Sequence, residues 1–194
     1  MKSSAAELAE LLDEHWTTSV EALFVFIERV CTVGVVNNYV LDEMFEEALE
    51  EGRKCDQQRK RDNWRKKCWK PGRRKEDCYP PFFGVPTSIK ETILFKGRQT
   101  YMGLVSSVNK IPEEHSQYVL IVLKMGLIPF VRSNVPQGCK AFETHNNIIS
   151  YSTNPWKKER SCGGSSGGEA GMVSSYCAPI GIGSDLAGSL RIPA

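Results

Sequence analysis

Apolar residues in the first eighty positions fall at helical spacing. Leu8, Leu11 and Leu12 give a short stripe near the start. Thr18 with Glu21 forms a capping-box pattern ahead of Val20-Glu-Ala-Leu-Phe-Val-Phe-Ile-Glu-Arg-Val, so a second helix is expected over residues 19–33. A third is expected from Leu41, with Met44 and Ala48 on its apolar side, running through a basic segment and ending before Pro71-Gly72. After Pro80-Pro81 the pattern changes. Phe82-Phe-Gly-Val-Pro-Thr-Ser-Ile predicts a buried strand entering a turn. Tyr118-Val-Leu-Ile-Val-Leu-Lys-Met predicts a helix stopped by Gly126, and Leu127-Ile-Pro-Phe-Val a strand. A glycine-rich loop at 163–168 opens a helix near Glu169–Cys177, and Pro179-Ile-Gly-Ile-Gly predicts a strand leading to a second glycine loop. Alternating helix and strand is the pattern of an α/β sheet with helical cover. The expected organisation is a helical region over 1–80 and an α/β region over 81–194.

The chain has 194 residues, 41% of them hydrophobic, enough for one domain with a sizeable core. Its net charge of +2 hides a strong asymmetry: residues 1–52 carry −10 and residues 53–75 carry +10. The seven cysteines are odd in number and none forms a C-x-x-C pair, which points to free thiols in a reducing compartment. The scattered His and Cys residues argue against a zinc site, and no metal or other cofactor is expected. No window approaches the ~20 apolar residues of a membrane-spanning helix, and the acidic, amphipathic start is unlike a signal peptide. The expected location is intracellular, cytoplasmic or peripherally membrane-associated.

The candidate chemistry lies in the two glycine loops, Gly163-Gly-Ser-Ser-Gly-Gly168 and Asp185-Leu-Ala-Gly-Ser-Leu-Arg191. A loop that exposes a hydroxyl beside free backbone N–H groups suits acyl transfer, because the serine attacks and the N–H groups receive the oxyanion. The first loop lacks the Gly-Lys-Ser/Thr ending of a phosphate-binding loop. It also fits a G-x-S-x-G nucleophile elbow, but that motif needs a later histidine, and His15, His115 and His145 all come earlier. By itself it reads equally as a flexible polar turn. In the second loop, Leu186, Ala187, Gly188 and Ser189 offer successive N–H groups to a developing negative charge. Asp185 and Arg191 are expected to pair across it. Lys90 follows Val85-Pro-Thr-Ser-Ile, so its ammonium is expected near the sheet edge, where desolvation favours the neutral amine that can accept a proton.

Gly84-Val-Pro-Thr-Ser-Ile-Lys90-Glu, Gly163-Gly-Ser-Ser-Gly-Gly168 and Asp185-Leu-Ala-Gly-Ser189 together resemble the amidase signature family. Val131-Arg-Ser-Asn-Val-Pro-Gln and Thr153-Asn-Pro-Trp156 resemble further landmarks of it. With Phe82-Phe-Gly-Val-Pro and Ser161-Cys-Gly-Gly, they bring the chain nearest the fatty acid amide hydrolase branch. The resemblance implies an α/β/α core with a mixed central sheet, of which this chain would be the N-terminal part. It implies a Ser–cis-Ser–Lys triad acting on acyl amides, fatty acid amides in this branch. Ser189 would be the nucleophile, Ser165, after a cis peptide bond from Gly164, the relay, and Lys90 the base. The N–H groups of Leu186 to Ser189 would form the oxyanion hole, and Cys139 would line the substrate site. Cys162 is expected to be structural. Ala187 stands where the family usually has glycine, a strain of roughly 1–2 kcal/mol if its φ is positive and harmless otherwise. Ser184 replaces a common threonine. Family members continue well past the nucleophile, so the resemblance implies a fragment that is poorly folded or inactive by itself. The alternative expectation is a non-catalytic product that binds a membrane surface or a protein partner.

The basic segment interleaves Trp64 and Trp69 with positive charge. Such a run is commonly the solvated end of a helix. Its chemistry also suits anionic lipid headgroups, and less favourably nucleic acid.

Overall fold

The computed structural model describes residues 3–194. α1 (Ala5–Asp13) and α2 (Ser19–Arg29) both open on capping boxes, Ser4 with Glu7 and Thr18 with Glu21. A π-helical turn, Val30–Gly34, prolongs α2 to the expected length. Leu8, Leu12, Leu23 and Phe26 are buried from these two helices.

The third helix differs at both ends from its sequence expectation. Leu41 lies in a strand, β1 (Val40–Glu43), and α3 spans Phe45–Arg61. β1 pairs antiparallel with a later strand, and this ladder competes successfully with helix formation. The helix stops well before Pro71 because Asn63 and Trp64 turn the chain through positive φ. The basic segment continues as a two-stranded parallel ribbon, β2 (Lys67–Cys68) with β3 (Cys78–Tyr79).

The central sheet is mixed. β4 (Pro86–Lys90) lies parallel to β5 (Ile128–Ser133) on one side and to β8 (Gly181–Ile182) on the other, giving the order β1-β5-β4-β8. Residues 40–43 therefore share a sheet with residues 86–133. Phe82 and Phe83, expected in a strand, form a turn instead, with Gly84 at φ +86°. Every residue of β4 and β5 is buried, which requires cover on both faces of the sheet. α4 (Gln117–Lys124) and α5 (Gly167–Ser174) supply part of that cover. A short hairpin, β6 (His145–Asn146) with β7 (Ser150–Tyr151), precedes α5. α4 buries Val119 and Val122 but leaves Tyr118 and Ile121 exposed. Among the described residues no helix is long and apolar enough to cross a membrane.

Buried ionic groups fasten the helical layer to the sheet layer. Asp56 of α3 accepts from the N–H groups of Ser19 and Val20 at 2.8 and 3.1 Å, closing the start of α2 from a distant segment. Arg59 of α3 donates to Asp13 at 2.8 Å and to the Phe83 carbonyl at 2.8 Å. Its guanidinium also lies over the Tyr79 and Phe83 rings. Asp13 in turn accepts from the Cys68 N–H at 2.8 Å. Arg132 of β5 fastens the sheet layer internally, donating to Asp42 of β1 and to the carbonyls of Gln99 and Glu91. Removing one partner of such a pair strands the other charge. Arg59→Ala is therefore expected to cost about 3–5 kcal/mol in urea unfolding. The double variant Asp13→Asn with Arg59→Met should recover part of that loss. Equal stability of Arg59→Ala and the parent would show that the pair holds nothing.

Candidate functional site

β4 delivers Lys90 to the carboxyl end of the parallel part of the sheet. The position is 1% exposed, so its amine is held away from water. Lys90 Nζ donates to Ser165 Oγ at 2.8 Å and to the Ser184 carbonyl at 3.3 Å. Ser165 Oγ donates in turn to Ser189 Oγ at 2.9 Å. Three side chains far apart in sequence thus form one continuous hydrogen-bonded path. Ser165 is buried, and Ser189 at the outer end is partly exposed.

The local folding of the two loops explains this alignment. The Gly164–Ser165 peptide is cis, as the resemblance implied. Gly168 lets α5 begin directly against the backbone of Asn134, where a Cβ would stand 2.4 Å from the Asn134 carbonyl oxygen. The Ser166 N–H donates to the Ser189 carbonyl at 3.1 Å and so ties the first loop to the second. Asp185 braces the second loop as expected, accepting from Arg191 at 2.9 and 3.0 Å. It also accepts from the N–H groups of Gly188, Leu190 and Arg191. These contacts, the Arg191 guanidinium first, hold its carboxyl well below the usual carboxylate range.

One expected donor is spoken for. The Gly188 N–H, at φ +115°, donates to Asp185 at 2.7 Å rather than facing open space. Among the described residues, the N–H groups of Leu186, Ala187 and Ser189 have no acceptor. Ala187 is not at positive φ, so alanine is harmless there. The Leu186 side chain is almost wholly exposed. Cys139 sits half-buried in the turn after β5. Burial raises its thiol, while the nearby Lys90 amine and Ser165 hydroxyl act the other way. Burial raises the Cys162 thiol to about 11, which suits the structural role expected of it. Among the described residues no group of His, Cys, Asp or Glu is arranged to hold a metal.

Desolvation is the largest influence on Lys90 and lowers its pKa. The thiol of Cys139 and the carboxyls of Glu169 and Asp185 pull it back toward the charged form. Glu169 was not singled out by the sequence. It lies on α5, fully buried, and its Oε2 accepts from Ser88 Oγ at 2.5 Å. Ser88 precedes Lys90 by two residues and shares its face of β4. Glu169 Oε1 and the neighbouring Ser133 Oγ have no partner at hydrogen-bonding geometry. Two signals were available: the period-two spacing of Ser88 and Lys90, and a lone carboxylate in a helix otherwise made of small and apolar residues.

Residues 21–194 match the model of the Amidase family. The chain belongs to that family. Acetamidase of Emericella nidulans is 35% identical over 193 residues, spanning 100% of this chain and 33% of that protein. Fatty acid amide hydrolase 1 of Caenorhabditis elegans is 44% identical over 114 residues, 59% of this chain and 20% of that protein. A solved fatty acid amide hydrolase superposes with a TM-score of 0.84 at 30% identity, covering 98% of this amidase chain and 31% of its own. Peptide amidase of Stenotrophomonas maltophilia, at 20% identity and a TM-score of 0.82, shares the fold. The chain spans between about a fifth and two fifths of the length of these relatives.

Burial pushes the Glu169 carboxyl up to about 7 from its ordinary 4.5. Below the unfolded value both states hold the proton and its stabilising effect is complete. As pH rises toward 7 only the folded state keeps the proton, so stability falls, and above 7 that contribution is gone. The melting temperature of this amidase chain should therefore drop between about pH 5 and pH 8, a loss on the order of 1–3 kcal/mol. Glu169→Gln, which mimics the protonated carboxyl, should flatten that slope. Identical slopes in parent and variant would contradict this assignment.

Proposed function

We propose that the protein is a serine hydrolase of acyl amides that acts through an acyl-enzyme. The observation that carries this reading is the unbroken path from Ser189 through Ser165 to an amine excluded from water. A neutral Lys90 has one lone pair and two N–H groups. It accepts the Ser165 proton while still donating to the Ser184 carbonyl. Ser165 takes the Ser189 proton as Ser189 Oγ bonds to the amide carbon. The carbonyl π pair moves to oxygen, and the N–H groups of Leu186, Ala187 and Ser189 are the donors that receive it. Gly188 acts instead through Asp185, holding the loop in shape. Collapse of the tetrahedral intermediate breaks the C–N bond. The Lys90 ammonium returns its proton to the leaving amine through Ser165. Water then repeats the path: it loses a proton through Ser165 to Lys90, attacks the acyl carbon and releases the acid, while Ser189 regains its hydrogen.

Long-chain acyl amides are the substrate class we favour. Support comes from the fatty acid amide hydrolases among the relatives, set against acetamidases that match the chain equally broadly. Cys139, beside the relay serine, would border the acyl group.

An alkyl fluorophosphonate added to the 194-residue chain should modify Ser189. Ser189→Ala should abolish the label, and Lys90→Ala should slow it by about 10²–10⁴. A long-chain reagent should react faster than an ethyl one. No labelling of a folded chain would support the non-catalytic alternative, and faster reaction of the ethyl reagent would favour a short-chain substrate.

A further inference from the structure

The face built from the end of α3, the β2–β3 ribbon and the end of α1 takes no part in this chemistry. Residues 60–75 hold nine Lys and Arg residues and a single acid, Asp62. Asp62 is engaged by the Tyr79 hydroxyl at 2.6 Å and by Gln58. Among the described residues only Lys70 of the nine pairs with a carboxylate, Glu10 at 2.6 Å. The side chains of Lys60, Arg61, Arg65 and Arg74 are exposed and make neither an ion pair nor a hydrogen bond. Glu14, Glu76 and Asp77 border the face without outnumbering its cations.

The turn after α1 is fastened to this segment. Lys67 donates to the Asp13 carbonyl, and the His15 ring packs 4.1 Å from the Trp64 ring. The next residue, Trp16, is 80% exposed. The combination on this part of the chain is an exposed indole and a neighbouring segment of unpaired cations. It matches the boundary of an anionic bilayer, where indole rings settle at headgroup depth and Lys and Arg are attracted to the surface charge. Single-stranded nucleic acid is a poorer match, because it needs several free rings for stacking. Trp64 is already covered by His15. Trp69 lies under the Lys75 ammonium and donates its indole N–H to the Arg73 carbonyl at 3.1 Å.

We propose that this face docks the protein on an anionic lipid surface, with Trp16 as the inserted anchor and Lys60, Arg61, Arg65 and Arg74 as the charge contacts. The docking is independent of the amide chemistry. The test is sedimentation of the full chain with phosphatidylcholine vesicles, with and without a phosphatidylserine fraction of about one third. Expected is binding at least about tenfold tighter to the anionic vesicles, weakening with added salt. Brominated lipid should quench the fluorescence of the parent clearly more than that of Trp16→Phe, which keeps Trp64, Trp69 and Trp156. The triple variant Arg61→Glu, Arg65→Glu and Arg74→Glu should lose about tenfold or more in affinity with an unchanged circular dichroism spectrum, since all three side chains are exposed. Equal binding to both vesicle types, full binding by the triple variant, or tighter binding to a single-stranded oligonucleotide than to the anionic vesicles would overturn the proposal.

Discussion

Holding a lysine amine in a dry interior, with one serine hydroxyl as its outlet, is the constraint around which this structure is arranged. Lys90 can be buried only because β4 is covered along its whole length, and that cover needs helices on the sheet. The amine then has two neighbours within hydrogen-bond reach, the Ser184 carbonyl and the Ser165 hydroxyl. Both come from loops that lie far beyond β4 in sequence. The glycines of those loops, the Ser166–Ser189 backbone bond and the Asp185 brace all keep two hydroxyls in line with one nitrogen. If the amine were solvated, it would stay charged and the alignment would lead to no acceptor.

A second buried titratable group shares this interior. Glu169 and Lys90 attract each other, which favours the ionised form of each, while desolvation favours the neutral form of each. Desolvation is the larger influence on both. Burial therefore moves each group toward its neutral form, and for Lys90 that is the direction that lets it act as a base. Ser88 connects the two, because it donates to Glu169 from the same strand face that carries Lys90.

The sequence was most legible where local chemistry repeats. The Thr18–Glu21 capping box, the glycine stop after α4 and the two serine loops could be read directly, because each depends on neighbouring residues. β1 was not legible. Leu41 and Met44 fit a helical stripe, and only the pairing with β5, some ninety residues later, makes Val40–Glu43 a strand. The early stop of α3 was hidden for a similar reason: Asn63 and Trp64 adopt positive φ within packing that involves His15. In the site, Lys90, Ser165 and Ser189 stood out through the combination of three motifs. Glu169 did not, because its hydrogen-bond partner Ser88 and the neighbouring Ser133 lie on two separate strands. The engagement of Gly188 by Asp185 depends on side-chain geometry that spacing along the chain does not specify.

The charge on Lys90 decides whether the hydroxyl path ends in a proton acceptor. Nitrogen-15 labelling of the lysine side chains, with the Lys90 signal assigned through Lys90→Arg, allows its titration to be followed directly by NMR. This account predicts a midpoint clearly below the ordinary lysine value of 10.5. A Lys90 signal that titrates at or above 10.5, together with the surface lysines, would contradict it.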